Sequence, residues 1–205
     1  MIFRSSSPKP DSTADVDRRD RWMLWVDGAG GFMIIASPSV TIGGPASESE
    51  AMVSVQADLH RREASLQRQH GEYSIGAIDG TVEVGGQAVT GSVQLRSGES
   101  FVLAGTTTFA FQRPHPLSAS ARLTVGSRTR LRPHADGILL LDDTLVIGAT
   151  DDCHIPAVHA EGTLVLVQRA GAWQCKATNG KATWQPLELG QRCDLLGVSM
   201  TMEQL

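Results

Sequence analysis

The chain predicts an all-β fold: β-sandwiches of short, mainly antiparallel strands. Three observations carry that expectation. Short β-branched or alternating apolar runs recur throughout, as in Val40-Thr41-Ile42, Val53-Ser54-Val55 and Phe109-Ala110-Phe111. Turn residues punctuate them every several positions, with 21 glycines in 205 residues. No segment sustains a 3.6-residue apolar period long enough for a core helix. Frequent turns between short strands are the signature of a sandwich.

Residues 1–21 are polar, with Pro8, Pro10 and mixed charge, and bury too little apolar surface to offset ordering entropy, so a disordered tail is expected. Order should begin near Trp22. The stretch Thr81-Val82-Glu83-Val84, then Gly85-Gly86, then Gln87-Ala88-Val89 predicts a glycine-turn hairpin. Gln112-Arg113-Pro114-His115-Pro116 breaks the strand pattern. Beyond it, Arg122-Leu123-Thr124-Val125 and Gly137-Ile138-Leu139-Leu140-Leu141 open a second run of strands, which closes on the alternating Val198, Met200 and Met202.

The second run repeats the first. Val40-Thr41-Ile42-Gly43 returns as Leu145-Val146-Ile147-Gly148, Gly71-Glu72-Tyr73 as Gly171-Ala172-Trp173, and Leu95-Arg96-Ser97-Gly98 as Leu187-Glu188-Leu189-Gly190. The interval between Gly71 and Gly98 is 27 residues, and that between Gly171 and Gly190 only 19. A turn region is therefore trimmed from the second copy. A repeat at this period predicts two domains, placed at 22–113 and 117–205, the second shorter.

Composition narrows the function. The net charge of −4 argues against general nucleic-acid binding, and the arginines at 122, 128, 130 and 132 read as a solvated strand face. The longest apolar runs, 32–36 and 138–141, are too short to span a bilayer, and no signal-peptide pattern is present. No membrane association and a cytoplasmic location are expected. The three cysteines, Cys153, Cys175 and Cys193, form no C-x-x-C and read as reduced thiols.

The order of motifs in the first copy resembles the forkhead-associated (FHA) family, whose β-sandwiches bind phosphothreonine peptides. The resemblance rests on Thr41-Ile42-Gly43-Gly44, His60-Arg61-Arg62-Glu63-Ala64, Gly71-Glu72-Tyr73-Ser74-Ile75, Val84-Gly85-Gly86, the segment from Leu95 through Gly98-Glu99 to Phe101-Val102-Leu103, and Phe109-Ala110-Phe111. It implies two tandem, degenerate FHA-like sandwiches. It also marks a phosphopeptide-binding position formed by Gly44, His60, Arg61, Arg62, Gly85 and Gly86. In the family, an arginine after the first glycine and a serine in the second motif hold the phosphate. Here Gly44 and His60 stand at those places, Glu63 replaces a buried strut histidine, and Gly85 replaces a turn asparagine. Arg61 matches the pattern. A charged contact of that kind contributes about 2–5 kcal/mol, so its loss is serious.

The second copy has diverged further. Ile147-Gly148-Ala149 lacks the arginine, His154 to Gly162 replaces the Ser-Arg motif, and Asn179-Gly180-Lys181 retains a turn signal. No phosphate site is assigned there. Cys153, His154 and His159 are too few and too closely spaced for a zinc site, and the aspartate pairs at 142–143 and 151–152 lack a cation-loop pattern. No catalytic motif, metal or cofactor is expected. The expected function is a non-enzymatic protein-interaction or signalling module with a protein partner, phosphorylated or not. The alternatives are a weak phosphopeptide reader using His60 and Arg61, and a structural or oligomerising scaffold.

Overall fold

A computed structural model of the chain describes residues 20–45, 51–115, 117–178 and 183–205. The tail expected before Trp22 lies outside them up to residue 19, as does the Asn179-Gly180-Lys181 turn. Strands dominate, as the sequence predicts. The first half carries β1 (Arg21–Val26), β2 (Gly30–Ile35), β3 (Ser39–Gly43), β4 (Val53–Val55), β5 (Ala64–Gln69) and β6 (Glu72–Ala77). It continues through β7 (Val82–Val84), β8 (Gln87–Ala88), β9 (Ser92–Leu95), β10 (Ser100–Leu103) and β11 (Thr107–Gln112). The second half begins with β12 (Ala121–Val125), β13 (Leu131–Arg132), β14 (Gly137–Leu140), β15 (Thr144–Gly148) and β16 (Ile155–Pro156). It ends with β17 (Leu164–Arg169), β18 (Ala172–Ala177), β19 (Gln185–Pro186), β20 (Arg192–Leu195) and β21 (Val198–Gln204). No helix among the described residues is long and apolar enough to cross a membrane.

These strands form three sheets. The largest runs β20-β21-β1-β2-β14-β12-β11-β10-β7-β8. A six-stranded sheet, β13-β4-β3-β5-β6-β9, packs on one of its faces, and a five-stranded sheet, β16-β15-β17-β18-β19, packs on the other. The smaller sheets share one order, since β4-β3-β5-β6-β9 matches β16-β15-β17-β18-β19, with a parallel pair at the start of each. The connection carrying the β7–β8 hairpin runs from residue 78 to 91, whereas that between β18 and β19 runs only from 178 to 184. The shorter connection accounts for the shorter glycine interval in the second copy.

The central strands are buried on both faces. Met33 and Ile35 of β2 enter the core under the six-stranded sheet, while Phe32 and Ile34 enter the core under the five-stranded one. In β14, Ile138 and Leu140 face the first core, and Leu139 the second. A strand covered on one side alternates, whereas one covered on both must be apolar throughout. That is why residues 32–36 and 138–141 read as unbroken apolar runs. The two runs pair in parallel, with Met33 opposite Ile138 and Ile34 opposite Leu139.

The hydrogen-bond ladder crosses the expected 22–113 and 117–205 units. β1 pairs with β21, with Trp22 opposite Gln204 and Val26 opposite Met200. β11 pairs with β12, with Phe111 opposite Leu123. The first core therefore takes Leu123, Leu131, Ile138 and Leu140 from the second half of the sequence. The second takes Trp22, Leu24, Phe32 and Ile34 from the first half, and Trp22 meets the Trp173 ring edge-on at 5.3 Å.

A fragment of residues 20–113 lacks β12, β13 and β14. It is expected to be unfolded, with narrow amide dispersion in an NMR spectrum. Dispersed resonances overlaying those of the full chain would contradict the shared core.

Candidate functional site

The site begins where β3 ends. Gly44 donates its N–H to the His60 carbonyl at 2.8 Å, and Glu63 donates its N–H to the Ile42 carbonyl at 2.9 Å. The 59–63 loop therefore lies directly on the strand end. A Cβ at Gly44 would sit 2.4 Å from the Leu59 carbonyl oxygen. No real Cβ comes that close, so this backbone excludes any side chain at residue 44, arginine included. The position is closed by backbone atoms, and a cation for an anionic ligand must come from elsewhere.

Glu63 organises the loop. It is fully buried, and its Oε2 accepts the His60 N–H at 2.8 Å and contacts His60 Nδ1 at 3.0 Å. Its Oε1 accepts the Thr81 N–H at 2.8 Å. Burial pushes the carboxyl upward, but the Thr81 and His60 backbone N–H groups, followed by the His60 ring, outweigh this and hold it below its ordinary value. Glu63 thus braces the 60–63 loop against the β6–β7 turn by accepting, from the place where the family pattern has a histidine. Gly80 is required beside it, because a Cβ there would lie 1.9 Å from Glu63 Oε1.

With Glu63 ionised, His60 donates from Nδ1, and a neutral ring then offers only the Nε2 lone pair to solvent. It donates outward only when protonated. The His60 side chain is exposed, as are Arg61 and Arg62. Arg62 pairs with Asp79 across the β6–β7 turn, Nε to Oδ2 at 3.3 Å, and Asp79 donates its N–H to the Arg62 carbonyl at 3.0 Å. Such exposed pairs contribute roughly 0–1 kcal/mol and yield readily to a better ligand.

Of the six residues marked by the sequence, the structure brings together Gly44, His60, Arg61 and Arg62. Gly85 and Gly86 form the two-residue turn of the β7–β8 hairpin. They lie at the other end of β7 from Thr81, about 10 Å along a three-residue strand. Sequence reasoning missed Asp79, Gly80 and Thr81, although Asp-Gly is a turn dipeptide and the signal was present.

The corresponding region of the second half does different work. His154 is fully buried; Nδ1 accepts the Val146 N–H at 3.0 Å and Nε2 donates to the Ser120 carbonyl at 3.1 Å. Burial depresses its pKa to about 4, against the opposing pull of the Ser120 carbonyl. Both ring nitrogens are committed, so His154 has no lone pair to give a metal. Among the described residues, no three His, Cys, Asp or Glu side chains are grouped to hold one.

His154 belongs to a polar seam along residues 118–120. Ser120 Oγ accepts the Asp142 N–H at 2.9 Å, and Ser118 Oγ donates to the Thr144 carbonyl at 3.1 Å. From the first half, the Tyr73 hydroxyl donates to the Ala119 carbonyl at 2.7 Å, and Arg68 pairs with Asp142 at 3.0 Å. The seam ties the 118–120 connection to strands of both halves.

No family model matches the chain, and no curated protein matches it significantly. Solved structures resemble part of it, including two FHA structures. One is the FHA domain of the CT664 protein from Chlamydia trachomatis, at 17% identity and a TM-score of 0.32, covering 43% of this chain and 91% of that one. The other is the Rv0020c FHA structure, at 17% identity and a TM-score of 0.29, covering 40% and 83%.

Two outcomes test these assignments. Glu63→Ala leaves the His60 and Thr81 N–H groups without their acceptor, at about 1–3 kcal/mol each, and should lower stability in urea accordingly. The second concerns His154. Its folded pKa is below its unfolded one, so the unfolded chain binds the extra proton between pH 6.5 and 4. Stability is then lost as pH falls through that window, by about 3 kcal/mol. Urea titrations at stepped pH should show this loss in the native chain and not in His154→Gln.

Proposed function

We propose that the chain is a non-enzymatic protein-interaction module built from two FHA-like sandwiches, interleaved through the shared ten-stranded sheet, whose phosphothreonine chemistry has been replaced. One observation carries this reading. At Gly44, where the resemblance puts a phosphate-binding arginine, the Leu59 carbonyl fills the space of a Cβ, and the buried Glu63 carboxylate takes the His60 and Thr81 N–H groups. A phosphate carries close to two negative charges at neutral pH, and an anion already bound to the loop's N–H groups repels it and occupies its donors. The framework that presents the loop remains, with Glu63 bracing it, so the exposed His60, Arg61 and Arg62 face is held in a defined shape. A rigid loop surface of this kind suits a protein or peptide partner recognised without phosphorylation.

A second reading has one observation in its favour. The His60 ring is held by Glu63 through Nδ1 and is exposed next to Arg61, so as an imidazolium it presents Nε2–H outward. In that state the pair forms a weak anion site, and the module reads phosphopeptides with reduced affinity.

Calorimetric titration with matched threonine and phosphothreonine peptides separates the two. The lead reading predicts that phosphorylation changes Kd by less than about threefold, or under roughly 1 kcal/mol. A tenfold or greater preference for the phosphopeptide, abolished by His60→Ala with Arg61→Ala, would overturn it in favour of the reader.

A further inference from the structure

Cys175 and Cys193 come from opposite layers of the second core. Cys175 lies on β18 of the five-stranded sheet, and Cys193 on β20, the edge strand of the ten-stranded sheet. Their Sγ atoms are 3.8 Å apart, and both are free thiols. Cys175 is fully buried, while Cys193 is partly exposed. The third cysteine is separate, with its Sγ 3.6 Å from Thr150 Oγ1 in the β15–β16 loop.

The pair has the asymmetry of an attacking and a resolving thiol. Cys193, on an edge strand, can be reached by a small disulfide from solvent. Cys175 is enclosed and meets only what Cys193 brings to it. A bond of about 2.05 Å requires the sulfurs to approach by roughly 1.7 Å, within reach of side-chain rotation on an edge strand.

We propose that Cys175 and Cys193 form a dithiol modification site, which closes to an intramolecular disulfide by exchange with a low-molecular-weight disulfide of the glutathione type. The Cys193 thiolate attacks one sulfur of the small disulfide, forming a mixed disulfide and releasing one small thiolate. Cys175 then gives its proton to a departing thiolate and attacks Cys193 Sγ, and the second small thiol leaves. Both cysteines are oxidised and the small disulfide is reduced to two thiols, so the exchange needs no further oxidant.

The electrostatics favour this order. Burial, and then the adjacent Cys193, push the Cys175 thiol up to about 12. A mixed disulfide on Cys193 carries no thiolate charge, so the repulsive part of that shift disappears when Cys175 must ionise. The closed bond would fasten edge strand β20 to the facing sheet.

The test uses the full native chain, incubated with excess oxidised glutathione, alkylated under denaturing conditions and mapped by mass spectrometry. The expected product contains a Cys175–Cys193 linked peptide, is about 2 Da lighter than the reduced chain before alkylation, and retains Cys153 as its one alkylated cysteine. Its Tm should rise by roughly 5 °C or more and return on reduction. Cys175→Ala should instead keep glutathione on Cys193; if that variant fails to fold, the native peptide map decides alone. Three alkylated cysteines, or a persistent mixed disulfide with Cys175 still alkylated in the native chain, would overturn the proposal.

Discussion

The parallel pairing of β2 with β14 is the constraint on which the rest of the molecule depends. Both strands lie at the centre of the ten-stranded sheet, with a core on each face. Each fully buried Ile or Leu there contributes about 1.5–3 kcal/mol by leaving water. Because successive residues face opposite cores, a single polar residue anywhere in these runs would open one core or the other. A one-residue slip would exchange every side chain between them. The pairing also sets the order on either side: β1 joins β2 to β21, and β12 joins β14 to β11. The polar seam at 118–120 then secures the connection between halves, with Tyr73 and Arg68 reaching it from one side and His154 from the other.

On this framework, the 59–63 loop is held from within. At Gly44 the Leu59 carbonyl occupies the space a Cβ needs. The carboxylate of Glu63 takes the N–H groups of His60 and Thr81 inward. An inward-facing anion and an outward-facing anion cannot share the same donors. The His60 and Thr81 N–H donors are satisfied from within, by Glu63, and are not aimed at solvent.

Much of the architecture was legible in the sequence. Period-two runs and turn residues located the strands, and the repeated Ile-Gly, Gly-aromatic and Leu-x-x-Gly elements fall at corresponding places in sheets of the same order. The shortened glycine interval falls in the connection between β18 and β19, shorter than the one that carries the β7–β8 hairpin. The shared sheet was less legible. The apolar runs at 32–36 and 138–141 carry the signal of strands buried on both faces, but periodicity does not say what covers a strand, and pairing across about 100 residues leaves no local trace. At the site, Gly44, His60, Arg61 and Arg62 were identifiable from motif order. Motif order put Glu63 at the place of a buried strut, but what it braces was not legible, because its partner Thr81 lies on the β6–β7 turn, outside that motif. Gly85 and Gly86 were correctly read as a hairpin turn, yet residue order alone does not reveal which end of β7 that turn occupies.

The most direct measurement is an NMR map of long-range contacts in the full chain with methyl-labelled Ile, Leu, Val and Met and protonated Phe rings. The account predicts cross-strand contacts joining Ile34 to Leu139, and contacts joining Leu24 of β1 to Met202 of β21. Contacts joining Leu24 instead to Phe109 or Phe111 of β11, with none between Ile34 and Leu139, would contradict it, since each half would then complete its own core.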